Sequence, residues 1–222
     1  MNQIQQSKRI WLTVICVAIL TCLVLAAFLN NILSPRIMSV DELRINGAVV
    51  FDKPRIIKEF TLVDHNGKSF DLSRLTGHWT LIYFGFSHCP DICPTTLADL
   101  NRMLGHLNTE VLEKTEVVMV TVDPARDTID ILRQYVPFFN ETFIGVTGEP
   151  VAIRSLADNL NVAFNKVALN GKDIQTDYTV DHTGHLILIN PKAHYHGFFK
   201  PPFEPAKLKA TYQTIVTMWP SM

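Results

Sequence analysis

The chain has 222 residues, which is enough for one domain together with a targeting or anchoring segment. Hydrophobic residues make up 47% of it, so a globular core is expected, and 20 basic and 21 acidic side chains leave a net charge near zero. This balance speaks against a nucleic-acid-binding protein, because such proteins need a clustered basic face.

The first predicted element is a membrane helix. Residues 10–29 (IWLTVICVAILTCLVLAAFL) carry no charge, and about twenty apolar residues cross the hydrocarbon core of a bilayer. Lys8 and Arg9 precede this stretch, so the positive-inside tendency places residues 1–9 in the cytoplasm and the rest of the chain outside. A cleaved secretory signal is the alternative, but its apolar region is usually only about 7 to 15 residues long. We predict an uncleaved single-pass anchor in the inner (cytoplasmic) membrane, with a soluble domain on the periplasmic side.

A tether is predicted over residues 30–54, followed by an α/β domain over residues 55–222. Within the domain, an Asn66-Gly67 pair between two short strands is typical of a hairpin turn. Continuous apolar runs such as residues 80–86 are typical of strands covered on both faces. Strands and helices alternate along the rest of the domain, which indicates a central sheet flanked by helices. The predicted strands are 60–63, 69–72, 80–86, 117–122, 143–146, 178–181, 185–189 and 196–199, and the predicted helices are 94–107, 128–139, 150–160 and 205–218.

Residues 84–94 (FGFSHCPDICP) hold the two cysteines that lie outside the apolar N-terminal stretch. A four-residue step on a helix or turn places Cys89 and Cys93 on one face, with Cβ atoms about 5–6 Å apart. That spacing allows a disulfide, which an extracytoplasmic location permits, and it also suits a soft metal ion such as copper(I) or zinc. The following helix should favour the thiolate form of both cysteines through its positive end.

A metal bound by two cysteines needs a further ligand, and the best candidate is a histidine. Among the eight histidines, His182 lies between two extended segments in residues 177–183 (DYTVDHT). In a thioredoxin-like arrangement this loop packs against the cysteine loop, so His182 is either a metal ligand or a hydrogen-bonded loop residue. His65 is expected in a solvated hairpin turn, and His88 is expected to point away from Cys89.

Four separated segments resemble the Sco/SenC family of copper-binding proteins, and their order and spacing agree across about residues 55–219. They are FGFSHCPDICPTT at 84–96, VTVDPARDT at 120–128, IGVTG at 144–148 and YTVDHT at 178–183. The resemblance implies a thioredoxin-like fold, a central mixed sheet flanked by helices, behind a membrane anchor. It also implies copper, as Cu(I) or Cu(II), with Cys89, Cys93 and His182 as its ligands.

The family serves maturation of the dinuclear copper site in cytochrome c oxidase subunit II, as copper donor, as reductant of that subunit's cysteines, or as both. The expected partners are therefore subunit II or a similar copper-receiving protein, and an upstream copper donor. A metallochaperone is favoured over an enzyme, because His182 stands where thioredoxin-type oxidoreductases have a cis-proline. In a metal-free reductase, the alternative function, Cys89 and Cys93 would be the redox-active pair. A copper or redox sensor acting through protein contacts is a third reading.

Several polar residues are left with more than one reading. Asp123 and Arg126 either support the site by hydrogen bonding or end a strand with a surface ion pair. His185, His194 and His196 are additional late histidines. The last two could assist copper capture or bind a second metal, but a solvated hairpin is the favoured prediction.

Overall fold

The computed structural model describes residues 3–33, 37–169, 173–174 and 177–218. Residues 1–2, 34–36 and 219–222, which belong to the predicted N-terminal segment, tether and domain, lie outside the described residues. The chain divides into two compact units, residues 1–37 and residues 38–222.

The first unit consists of helix α1, Gln3–Leu33. Residues Arg9–Leu29 of this helix are long and apolar enough to cross a membrane. Their apolar side chains are exposed, including Trp11, Leu20 and Phe28. A membrane anchor and a signal sequence both have these properties.

The second unit is a mixed α/β structure, as predicted. Its helices are α2 Val40–Ile45, α3 Ile92–Leu104, α4 Thr109–Leu112, α5 Ile129–Phe139, α6 Pro150–Asn159 and α7 Pro205–Met218, with a 3₁₀ turn at Leu72–Leu75. Its strands are β1 Ala48–Ile56, β2 Thr61–Asp64, β3 Ser69–Asp71, β4 Trp79–Gly85, β5 Thr115–Thr121, β6 Ile144–Thr147, β7 Phe164–Ala168, β8 Tyr178–His182, β9 Leu186–Ile189 and β10 His194–Phe199.

Eight strands form the main sheet in the order β1-β10-β9-β4-β5-β6-β2-β3, and β7 and β8 form a separate two-stranded sheet. Strands β4, β5 and β6 are parallel, whereas the other neighbours are antiparallel. All seven residues of β4 are buried, which explains its continuous apolar sequence. Because β4, β5 and β6 are parallel, the loops that follow them meet at one edge of the sheet, the usual place for ligands in α/β folds.

The tether is shorter than predicted, because part of residues 30–54 forms regular structure. Residues 40–45 form α2, whose N-terminus has a capping box between Ser39 and Glu42. Strand β1 then pairs with β10 at the edge of the main sheet. It was not recognised in the sequence because Pro54 and three charged residues interrupt it, which an edge strand with an irregular register tolerates.

Candidate metal centre

Cys89 and Cys93 lie in the loop that follows β4 and in the first turn of α3. The helix begins at Ile92, two residues earlier than predicted, so Cys93 is part of it. The backbone N–H of Cys93 points at Cys89 Sγ, with 3.4 Å between nitrogen and sulfur. Both thiols are free, and the exposed fractions are 8% for Cys89 and 0% for Cys93. Burial raises the pKa of the Cys93 thiol to about 12.

His182 ends strand β8, and the fold brings its imidazole to Cys93. The distance between His182 Nε2 and Cys93 Sγ is 3.6 Å, although the residues are 89 positions apart in the chain. The other ring nitrogen, Nδ1, lies 3.3 Å from the carbonyl oxygen of Thr183. An N–H at Nδ1 satisfies that carbonyl and leaves the lone pair of Nε2 directed at the sulfur. Burial lowers the pKa of His182 below 6.5, which keeps the ring neutral.

The separation of these two donors fits a shared metal ion. In a tetrahedral site with metal–sulfur and metal–nitrogen bonds of about 2.3 and 2.0 Å, as for zinc, the two donor atoms lie about 3.5 Å apart. The observed 3.6 Å is close to this value. Among the described residues, no three His, Cys, Asp or Glu side chains already form a closed group of ligands. The structure therefore brings Cys93 and His182 together, while Cys89 contacts Cys93 through a backbone N–H.

Aromatic residues of β4 and its loop surround the imidazole. The rings of Tyr83 and Phe86 meet His182 edge-on, with centroids 5.9 and 6.1 Å away. The hydroxyl of Tyr83 also donates to Cys93 Sγ at 3.7 Å. A Cβ atom at Gly85 would lie 2.8 Å from the Tyr83 ring and 3.2 Å from Cys93 Sγ, so glycine makes room for both.

Asp127 fixes the cysteine loop, a role that the sequence analysis missed. Thr128 is the N-cap of α5, whereas the fully buried carboxylate of Asp127 accepts hydrogen bonds from Ser87 N–H at 3.1 Å and from the Ser87 hydroxyl at 2.5 Å. The Thr121 hydroxyl donates to the same carboxylate at 2.6 Å. Asp127 thereby joins the end of β5 to a residue two positions before Cys89. Its place in the DPARDT segment was the only signal in the sequence.

Asp123 and Arg126 form a partly buried pair rather than a surface one. Asp123 has an exposed fraction of 1% and accepts a hydrogen bond from Arg126 Nε. It also accepts a hydrogen bond of 2.9 Å from the Tyr178 hydroxyl. Tyr178 begins the strand that ends at His182, so the reading in which this pair supports the site agrees with the contacts.

The other histidines have different surroundings. His88 is exposed, and its Nδ1 lies 3.0 Å from the Ser87 hydroxyl oxygen. The prediction for His65 is wrong, because it is buried and its Nδ1 accepts the backbone N–H of Gly145 at 2.8 Å. His185 stacks on Phe198, with ring centroids 4.6 Å apart.

The prediction of a solvated hairpin is also wrong for His196. His194 is partly buried and His196 is buried in strand β10. The ring of His196 packs edge-on against Trp79, with centroids 5.2 Å apart. A register shift between Tyr195 and Gly197 interrupts the strand alternation that the sequence analysis assumed.

Comparison with known proteins gives one consistent result. Residues 50–217 match the family described as SCO1/SenC. An SCO2-like protein of Rickettsia felis is 37% identical over 148 residues, which cover 67% of this chain and 71% of that protein.

Two solved structures with bound copper are similar to this chain. Arabidopsis thaliana ScoI has 33% identity and a TM-score of 0.65, and the match covers 73% of this chain and 99% of the ScoI chain. Bradyrhizobium japonicum ScoI has 31% identity and a TM-score of 0.63, covering 71% of this chain and 98% of its own. The predicted thioredoxin-like fold, with a central mixed sheet flanked by helices, is confirmed.

Proposed function

The chain belongs to the SCO1/SenC family, and from that premise we propose that it is a copper metallochaperone for cytochrome c oxidase. It binds one copper ion through Cys89, Cys93 and His182 and supports assembly of the oxidase's dinuclear copper site, in subunit II. The observation that carries the proposal is the 3.6 Å separation of Cys93 Sγ and His182 Nε2. Relatives with similar folds have been solved with copper bound.

The donor set suits both oxidation states of copper. Thiolate ligands favour copper(I), and imidazole is a good ligand for copper(II). The neutral ring of His182, held at Nδ1 by the Thr183 carbonyl, offers Nε2 without losing a proton. Cys93 must lose its proton before its sulfur can bind, and burial raises the pKa of this thiol, so copper uptake at neutral pH releases this proton.

Cys89 is the sulfur that an incoming group reaches first. Its side chain is slightly exposed, whereas Cys93 is fully enclosed. Copper therefore passes between proteins by exchange of one ligand at a time at the Cys89 side. A cysteine of the receiving protein displaces Cys89 while Cys93 and His182 still hold the ion.

Helix α1 supports placement of the domain at a membrane. Arg9–Leu29 is long and apolar enough to span a bilayer, and Lys8 and Arg9 at its start favour a cytoplasmic N-terminus. The copper-binding unit then lies on the periplasmic side of the inner membrane, where the copper site of the oxidase is assembled.

A second candidate function is reduction of the target's cysteines, and two free cysteines in contact, with 3.4 Å between Cys93 N and Cys89 Sγ, favour it. In this reaction the thiolate of Cys89 attacks a disulfide of the target and forms a mixed disulfide. Cys93 then attacks Cys89 and releases the target as a dithiol. Two electrons and two protons pass to the target, and the Cys89–Cys93 disulfide remains.

A copper titration of the full chain in detergent tests the first function. The reduced chain should bind one copper with sulfur ligation by X-ray absorption, and Cys89→Ser or Cys93→Ser should abolish this binding. The double variant Cys16→Ser/Cys22→Ser is the matched control, because it removes two thiols from α1 and should bind copper normally. Absence of stoichiometric, sulfur-ligated copper in the wild-type chain contradicts the proposal.

Two parallel mixtures separate the two functions. The copper-loaded chain is mixed with reduced, copper-free subunit II, and the copper-free reduced chain is mixed with oxidised subunit II. A metallochaperone transfers copper in the first mixture, and a reductase changes the thiol state of subunit II in the second. Copper content and thiol content are measured separately in both.

A further inference from the structure

The strand that carries His182 is not part of the main sheet. Strands β7 and β8 pair only with each other, so backbone hydrogen bonds of the main sheet do not fix where His182 lies. The position of this hairpin, here called the histidine hairpin (residues 164–168 and 178–182), depends on side-chain contacts and on the short connections to α6 and β9.

Arg126 makes one of these contacts, on strand β8. Its Nη1 donates a hydrogen bond of 3.2 Å to the carbonyl oxygen of Tyr178. Its guanidinium carbon also lies 4.0 Å from the centroid of the Tyr178 ring. The Tyr178 hydroxyl reaches back to Asp123, which is the ion-pair partner of Arg126. Strand β8 is therefore tied to the loop that follows β5.

Arg154 of α6 makes an equivalent contact on strand β7. Its Nη1 donates a hydrogen bond of 2.8 Å to the carbonyl oxygen of Phe164. Its guanidinium carbon lies 3.6 Å from the centroid of the Phe164 ring. Phe164 is the direct register partner of His182, so Arg154 holds the residue that lies opposite the proposed ligand.

The two arginines use the same contact on opposite strands. Each donates to the carbonyl of an aromatic residue and stacks its planar guanidinium on the ring of that residue. The ammonium of Lys166 also lies over the Tyr178 ring, with 4.1 Å between Nζ and the ring centroid, but it makes no planar contact of this kind. A cavity of about 650 Å³ lies beside these contacts, lined among others by Asp123, Arg154, Phe164 and Lys166. Tyr178 and Val180 pack in the core, but the side of the hairpin that faces this cavity has space to shift when either arginine contact is lost.

We propose that Arg126 and Arg154 are positioning residues that hold the histidine hairpin so that His182 meets Cys93, and that they thereby set how tightly copper(II) is bound relative to copper(I). This inference rests on the proposed copper site. Thiolates alone hold copper(I) well, whereas copper(II) depends more on the imidazole. Displacement of His182 therefore weakens copper(II) binding more than copper(I) binding.

The test compares Arg126→Gln, Arg154→Gln and the double variant with the wild-type full chain in detergent. Loss of a residue that orients a metal ligand typically weakens metal binding about 10- to 100-fold, and we expect this loss for copper(II). For copper(I) we expect a change of less than about threefold, because both sulfurs remain. The sulfur-to-copper(II) charge-transfer absorption should shift in the same variants.

Arg133→Gln is the matched control. Arg133 also donates to a backbone carbonyl, that of His65 at 3.0 Å, and also pairs with an aspartate, Asp130. It holds the β2–β3 turn rather than the histidine hairpin, so its loss should leave both copper affinities unchanged.

The background variant His182→Gln distinguishes positioning from general destabilisation. Without the imidazole, Arg126→Gln and Arg154→Gln should cause no further loss of copper(II) affinity, because both act through His182. A full additional loss in that background overturns the inference. Arg126→Lys and Arg154→Lys keep the charge but not the planar contact, so we expect them to recover only part of the copper(II) affinity.

The outcomes also separate this inference from the proposed function. If the wild-type chain binds no copper(II), the copper site itself is wrong. If it binds copper(II) and the arginine variants bind equally well, only the positioning role is wrong. Circular dichroism shows whether Arg126→Gln folds. If it does not, Arg154→Gln and Tyr178→Phe are used in its place. Tyr178→Phe removes only the hydroxyl that donates to Asp123.

Discussion

Strand β4 presents an aromatic ring to a histidine near each of its ends. At the carboxyl end Tyr83 meets His182 edge-on at 5.9 Å, and at the amino end Trp79 meets His196 edge-on at 5.2 Å. Both imidazoles are desolvated, and burial lowers the pKa of each, to about 4 for His196. Aromatic contact and burial therefore do not distinguish the two sites.

The difference lies in what faces the nitrogens of each ring. His196 belongs to the main sheet, and its Nδ1 lies 3.5 Å from the side-chain amide nitrogen of Asn190. His182 lies on the separate hairpin, and its Nε2 faces the sulfur of Cys93. A histidine whose nitrogen meets an amide contributes to packing, whereas one whose nitrogen meets a thiol has a partner with which it can share a metal ion.

The largest expected difference between the two sites is in copper binding. His182→Gln should weaken copper(II) binding by more than about 100-fold, beyond the range for residues that only support a ligand. His196→Gln should leave copper(II) affinity within about threefold of wild type, because that ring lies outside the proposed ligand set. Competition titrations with a copper(II) chelator measure both. Equal losses of copper(II) affinity in the two variants would show that the two histidines do not differ in copper binding.

The second difference is in the pH dependence of stability. The pKa of His196 falls from 6.5 to about 4 on folding, so between these values the unfolded chain binds more protons than the folded chain. The contribution of His196 to the free energy of unfolding is therefore complete above pH 6.5 and is lost as the pH falls toward 4. At 1.36 kcal/mol per pKa unit, the loss is about 3 kcal/mol.

Urea unfolding of the copper-free full chain between pH 7 and 4 measures this loss. His196→Gln should remove about 3 kcal/mol of the pH dependence of the unfolding free energy. His182→Gln is the comparison variant, and it should change the dependence in the same direction because the pKa of His182 is also lowered. A pH profile of His196→Gln that matches wild type would show that His196 is not buried as a neutral ring.

The sequence allowed prediction of the elements that repeat a simple pattern. The apolar run of β4, the Asn-Gly turn between β2 and β3 and the helix that carries Cys93 are all present. Strand β1 was missed because its edge position tolerates proline and charge. Strand β7 was missed because it is mostly exposed and belongs to a separate two-stranded sheet.

The candidate site was only partly predictable. Cys89, Cys93 and His182 were identified through a family resemblance, because spacing alone left His182 with two readings. The roles of Asp127 and Tyr178 depend on which loops meet in space, and no local pattern records that. The burial of His196 was missed because a register shift in β10 breaks the alternation from which burial is read.

The smallest predicted effect concerns Tyr83 and Trp79, the residues of β4 whose rings meet His182 and His196. Tyr83→Phe keeps the ring that packs on His182 but removes the hydroxyl that donates to Cys93 Sγ at 3.7 Å. Burial raises the pKa of Tyr83, so the hydroxyl remains a donor at neutral pH. Loss of one hydrogen bond of this kind costs about 0.5–1.5 kcal/mol, or at most about tenfold in copper affinity.

Trp79→Phe is the counterpart at the other end of the strand. It replaces the indole that meets His196 with a smaller ring and should lower the unfolding free energy. Copper affinity should not change, since Trp79 touches no proposed ligand. Chelator competition and urea unfolding of both variants give the comparison. If Tyr83→Phe and Trp79→Phe change copper affinity equally, the hydroxyl of Tyr83 does not act on the Cys93 sulfur, and the two ends of β4 differ less than the contacts of His182 and His196 indicate.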